Sequence, residues 1–208
     1  IFHLKEPVKI PLVLSKKEIK RILAMTPSLK ARVMLSLAYG CGMRAGEVVR
    51  LKVGDIDSDQ EIIRIVQSKG RKDRNVMLSA DILSLLREWW TERPTGQDKG
   101  VPAPERVLFP GYRGKHLSAR QISRLFKETA REAGITKPVT LHTLRHSFAT
   151  HLLERGVDIR VIQALLGHAK LTTTARYASV ATGMIAAVDS PLDDLNGATR
   201  KKGKPKPS

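Results

Sequence analysis

His142, Arg145, His168 and Tyr177 fall within one stretch, residues 141–179, and that combination could act on a phosphodiester. A guanidinium and imidazoles at helical spacing can hold the phosphate and stabilise the negative charge of its transition state. A tyrosine late in the stretch can attack it through the phenol oxygen. Packing a fold does not require such a set. His142 and Arg145 stand three apart on an expected helix over residues 140–155, so they project together. They lie just off the apolar stripe formed by Leu141, Leu144, Phe148 and Leu152. An imidazole beside a guanidinium is poor for stability unless an anion sits between them. The competing structural reading makes Arg145 an interhelical ion pair and His142 a satisfied core histidine.

Arg44 extends the set. It ends the glycine-loosened turn Gly40-Cys41-Gly42-Met43, where a planar fork could reach an anion, and Glu47 can buttress it. Lys69 stands at a hairpin tip, SKGRKDR, as a mobile cation or proton donor, or simply as an exposed lysine. Arg71, Lys72 and Arg74 beside it look like clamps for a phosphate backbone. Of the three tyrosines, Tyr39 lies in an apolar helix and reads as core, and Tyr112 lies in a glycine-flanked loop. Tyr177 follows the polar run TTTAR, where the need for core residues is small, and His168 after Gly167 can reach the same cleft. His142 and His146 have metal-ligand spacing, but the zinc-protease motif needs Glu where Thr143 stands. His151 points to the opposite face, so no third ligand is evident and no metal is expected.

The elements that must position these residues follow from length, charge and periodicity. The 208 residues suffice for one large domain or two small ones. Lys and Arg total 37 against 20 Asp and Glu, a net +17, and the chain without its last nine residues still carries +12. A basic globular surface gathers polyanions by releasing their counterions, which favours nucleic acid. No apolar run approaches the ~20 residues of a membrane span, and the start shows no secretory signal. Cys41 is the one cysteine, in an apolar helix, so a reducing compartment is expected.

Ser15 and Glu18 form a capping box for a first helix, and Ser28 opens a second that ends at Gly40 and Gly42. A short helix over residues 45–51 follows, and VGDID reads as a turn. EIIRIVQ and RNVMLS alternate and flank a polar turn, which predicts a small antiparallel sheet over residues 61–78. Ser79 caps a helix whose Trp89 and Trp90 read as packing residues, and residues 93–106 read as a surface loop. Ser118 caps the basic amphipathic helix ARQISRLFKETAREAG. Helices are expected over residues 140–155, 158–166 and 172–179, with a last one over 181–188 closed by Pro191. The lysine-rich tail, residues 197–208, is expected to be disordered.

These residues, taken in order, resemble the catalytic domain of tyrosine recombinases, the phage-integrase, Xer and integron-integrase group. The matches are AYGCGMRAGE (38–47), SKGRKDR (68–74), HTLRHSFATHLL (142–153), LGH (166–168) and TTARY (173–177). Each piece is weak alone, and the ordered set is specific. The ending VDSPLDDL resembles integrases of bacterial mobile elements. The resemblance implies a mainly α fold with a small antiparallel sheet, spanning residues 14–196 after a linker remnant at 1–13. It also implies roles. Tyr177 would attack the phosphate and form a 3′-phosphotyrosyl link. Arg44 and Arg145 would hold the non-bridging oxygens, with Glu47 supporting Arg44. Lys69 would protonate the leaving 5′ oxygen, His142 would assist proton transfer, and His168 would hydrogen-bond the phosphate. No metal or other cofactor is implied.

The family places a helix in the major groove, and ARQISRLFKETAREAG fits that part. Arg120 and Gln121 could reach base edges, while Lys115, Arg124 and Lys127 would hold phosphates. Double-stranded DNA at recombination sites is the implied partner, with a homotetramer on two sites. The short lead IFHLKEPVKIP looks like an interdomain linker, so weak DNA affinity and poor recombination are expected of this chain alone. Two alternatives stay open: a recombinase-like module that binds DNA without chemistry, and a type IB topoisomerase.

Overall fold

The computed structural model describes residues 12–66, 73–111, 116–167 and 187–195. At its centre lies α2 (Leu29–Gly40), apolar almost all round and buried from Val33 to Gly40. A helix with no polar face must be covered on every side, and the others do this. Helices α1 (Lys16–Ala24), α4 (Ala80–Glu92), α5 (Ala119–Glu132), α6 (Leu141–Glu154) and α8 (Pro191–Leu195) all pack on it. The short α3 (Ala45–Arg50) leaves α2 through the Gly42 turn and packs on α5, and α7 (Ile159–Leu166) packs on α6.

The expected hairpin is there, as β2 (Ile62–Ile65) antiparallel to β3 (Arg74–Met77), with Ile62 opposite Met77 and Ile65 opposite Arg74. The sheet has a third strand, β1 (Ile56–Asp57), paired to β2. By sequence alone this segment reads as a turn. Two residues are too few to show an alternation, and only their pairing with Ile62 and Ile63 makes them a strand. β3 packs against α7, which brings the end of the sheet to the end of that helix.

Local capping follows the sequence closely. Ser15 and Glu18 cap each other's backbone, as do Ser118 and Gln121. Gly156 and Gly167 end α6 and α7 with φ of +79° and +64°, a conformation that costs side-chain-bearing residues energy. Two expectations change. Residues 93–106 are not simply a surface loop: the Arg93 side chain is buried, ion-paired to Asp98 and stacked 4.0 Å from the Trp90 ring. Pro191 does not close a helix but opens α8 at its first position, where proline lacks only a hydrogen bond that the helix cannot make. Of the expected 181–188 helix, residues 187 and 188 are not helical, and the remainder lies outside the described residues, as do the 172–179 helix, the linker up to residue 11 and the tail. Among the described residues no helix is long and apolar enough to cross a membrane.

Candidate active site: two arginines on one carbonyl

Two guanidinium groups from opposite halves of the chain meet at the end of α7. Arg44 caps α3, and its Nη2 donates to the Leu166 carbonyl at 3.4 Å. Arg145, on the second turn of α6, donates from Nη2 to the same carbonyl and from Nη1 to the Gly42 carbonyl at 2.6 Å. The Gly42 turn makes this possible. Its φ is +61°, and a Cβ there would lie 2.5 Å from the Phe148 ring. Only glycine lets the turn press onto α6 so that its carbonyl faces Arg145.

Arg145 is 3% exposed, yet its hydrogen bonds among the described residues go to carbonyls and not to a carboxylate. Burial, followed by the like charges of Arg44 and Arg74, pushes its pKa down to about 9, which still leaves a cation at neutral pH. Arg44 is partly exposed, and its Nη1 pairs with Glu47 at 2.9 Å. Glu47 also accepts the Arg44 amide at 2.7 Å. Burial acts to raise the Glu47 pKa. The hydrogen bonds and charge of Arg74, then the contacts of Arg44, outweigh it and hold the carboxyl at about 2. Among the described residues the cluster is three guanidiniums around one carboxylate. Burying surplus positive charge is costly unless an anion joins it.

Of this cluster, Arg44 lines a groove of about 760 Å³. Met43, Arg44 and Gly46 form one wall, Ser123 and Lys127 of α5 another, and Thr140 and His142 at the start of α6 a third. His142 is exposed there, and its ring meets that of His146 edge to face at 4.4 Å. On α5 the buried side is Ile122, Phe126, Thr129 and Ala130, which leaves Arg120, Gln121, Arg124 and Lys127 outward. Gln121 spends its carbonyl oxygen on capping the Ser118 amide at 2.8 Å. Arg124 makes a loose pair with Glu128 at 3.8 Å.

The structure therefore brings Arg44, His142 and Lys127 to one groove, with Glu47 bonded to Arg44 and Arg145 sharing the Leu166 carbonyl with it. Arg74 is a correction. Its sequence setting reads as a clamp for a DNA backbone, but it is only 9% exposed. Its Nη1 and Nη2 each reach Glu47 at 2.7 Å, and its Nε donates to the Leu165 carbonyl at 2.7 Å. A hairpin rich in lysine and arginine suggests exposure, but a place opposite Ile65 puts Arg74 inside. Tyr177, Lys69, His168, Arg71, Lys72, Lys115 and Tyr112 lie outside the described residues. The shared Leu166 carbonyl is absent from the sequence reading, because a backbone acceptor leaves no residue signature. Gly167 behind it is the available signal.

Known proteins give this arrangement a class. The sequence profile of the phage integrase family matches residues 13–184. The chain is 42% identical over 192 residues to the putative integrase/recombinase y4qK of Sinorhizobium fredii, covering 92% of this chain and 59% of that protein. It is 38% identical over 181 residues to the tyrosine recombinase XerA of Pyrococcus furiosus, covering 85% of this chain and 60% of that one. The crystal structure of XerA recombinase superposes with a TM-score of 0.68 at 33% identity, over 83% of this chain and 61% of that chain. The XerH site-specific recombinase bound to its difH substrate before cleavage superposes at 0.65 with 29% identity, over 77% of this chain and 48% of that one. The fold is therefore that of a tyrosine recombinase catalytic core. The chain belongs to the phage integrase family.

Proposed function

We propose that the chain cleaves and rejoins DNA strands in site-specific recombination, with Tyr177 as the nucleophile. The Tyr177 oxygen bonds to the scissile phosphorus as the P–O5′ bond breaks. The phenol proton passes towards His142, and Lys69 protonates the leaving 5′ oxygen. Arg44 and Arg145 hold the non-bridging oxygens, and His168 adds a hydrogen bond. The phosphotyrosyl link keeps the phosphodiester bond energy, so a 5′-hydroxyl can reverse the step on another strand.

The observation that carries this reading is the convergence of Arg44 and Arg145 on the Leu166 carbonyl. Fixed cations aimed at a phosphate that gains charge can supply most of the stabilisation such a reaction needs. The groove beside them is lined by Lys127 and Ser123 of α5, whose outward face bears Arg120 and Arg124 for the duplex. DNA is the partner, in a tetramer on two sites, and the bacterial nucleoid in the cytoplasm is the place of action.

A pool of nicked duplexes, randomised beside the nick, tests this for any target sequence. Cleavage of the intact phosphodiester a few nucleotides 5′ of the nick frees a short strand bearing the 5′-hydroxyl, so the chain is trapped as a covalent adduct. The adduct is expected on Tyr177, lost in Tyr177→Phe and kept in Tyr39→Phe and Tyr112→Phe. Binding without an adduct would make the chain a DNA-binding module. Relaxation of supercoils without sequence preference would make it a topoisomerase.

A further inference from the structure

The Arg74 side chain lies where three elements meet. It leaves the first residue of β3, reaches Glu47 on α3, and bonds the last turn of α7. Gly167 closes over it: a Cβ there would stand 2.8 Å from the Arg74 Cδ. Arg74 and Glu47 are 5% and 4% exposed at their side chains, so the pair is an interior one.

The carboxylate of Glu47 is shared unequally. Arg74 takes it in a two-pronged grip, with both contacts at 2.7 Å. Arg44 then gives it one guanidinium N–H and its backbone amide. A forked grip on a carboxylate is the strongest pairing a guanidinium makes. Among the described residues Arg44 is the other cation bonded to Glu47, and taking up a fork that Arg74 released would turn its guanidinium away from the groove.

We propose that Arg74 is a positioning residue for the arginine pair. It occupies Glu47 so that Arg44 stays turned to the groove, and it fixes the end of α7 whose Leu166 carbonyl both arginines share. It touches neither DNA nor phosphate. This rests on the reading of Arg44 and Arg145 as the phosphate clamp. It gives the third guanidinium a task distinct from the other two, and it makes the sheet part of the site.

The test uses the full 208-residue chain with Arg74→Lys and Arg74→Met, the lysine variant keeping the charge but not the fork. Two measurements are paired. In the free protein, the Arg44 Nε–H resonance and the Glu47 carboxyl titration are followed by NMR. On a nicked duplex taken from the adduct pool, the single-turnover rate of adduct formation is compared with the Kd for the same DNA. Both variants are expected to move the Arg44 resonance, and Arg74→Met to raise the Glu47 titration. Both should slow adduct formation by about 100-fold, the scale of a misplaced catalytic group, with Kd within about twofold. If Arg74→Met does not fold, Arg74→Lys carries the test. An unchanged rate in folded Arg74→Lys overturns the proposal. So does a rate loss matched by weaker DNA binding with the Arg44 resonance unmoved. If the Arg44 resonance responds to Arg74→Lys but the unsubstituted chain forms no adduct, the positioning stands and the recombinase reading falls.

Discussion

Arg145 and His151 sit six residues apart on α6, each 3% exposed, and the helix uses them in opposite ways. His151 is enclosed. Its Nδ1 meets the Tyr39 hydroxyl at 2.9 Å, the two rings pack edge to face, and burial holds its pKa below the usual histidine value. It is a neutral group satisfied by a neutral partner. Arg145 is a cation bonded to two backbone carbonyls, beside two more guanidiniums and one carboxylate. Carbonyls satisfy its hydrogens without cancelling its charge. Burial alone therefore does not mark a functional residue. What separates the two is a buried charge that, among the described residues, is bonded to carbonyls alone and shares one of them with an arginine lining an open groove.

That contrast predicts opposite outcomes for the two ends. Arg145→Gln should lower the adduct rate by about 100- to 1000-fold while moving Tm by no more than about 4 °C, measured by quenched single-turnover assays and thermal melts. A large fall in Tm with an unchanged rate per folded molecule would place Arg145 with the structural histidine. Glu47→Gln should cost about 3 kcal/mol, because it leaves the buried Arg74 without its counter-charge. Urea unfolding measures this, and a loss below about 1 kcal/mol would show that the pair is solvated.

Tyr39→Phe deletes the buried hydroxyl that meets His151 Nδ1 at 2.9 Å and the Pro191 carbonyl at 3.5 Å, and it should cost about 1 kcal/mol, with adduct yield retained. Loss of the adduct with the fold intact would move the chemistry to the wrong tyrosine. The smallest effect is on pH. The unfolded chain protonates His151 near pH 6.5, and the folded chain only at lower pH. Its contribution to stability is therefore present above about pH 6.5 and is lost as pH falls through the depressed native value. His151→Phe should flatten the fall in Tm below pH 6.5, and an unchanged slope would mean that His151 takes no part in it.

Much of this is legible in the sequence because it is local. Ser15, Ser118 and Gly156 announce helix ends through chemistry within a few residues. The stripe Leu141, Leu144, Phe148 and Leu152 announces the buried face of α6. What escapes a local reading depends on distant pairing. β1 is a strand only because β2 lies beside it. Arg74 looks like its basic neighbours in sequence, and only the register opposite Ile65 and the approach of α7 turn it inward. Helix α8 is hidden by its first residue, a proline that local reading takes as a stop. The arginine pair is legible as two motifs, but their meeting on the Leu166 carbonyl is a property of the assembled fold.

The central claim is that Arg44 and Arg145 grip one phosphate. A crystal structure of Tyr177→Phe bound to a nicked duplex recovered from the adduct pool measures it directly. The account predicts non-bridging oxygens of the scissile phosphate, a few nucleotides from the nick, within hydrogen-bonding distance of both guanidiniums, with the substituted ring at position 177 facing the phosphorus. A phosphate held by only one of the two arginines, or seated away from both, would contradict it.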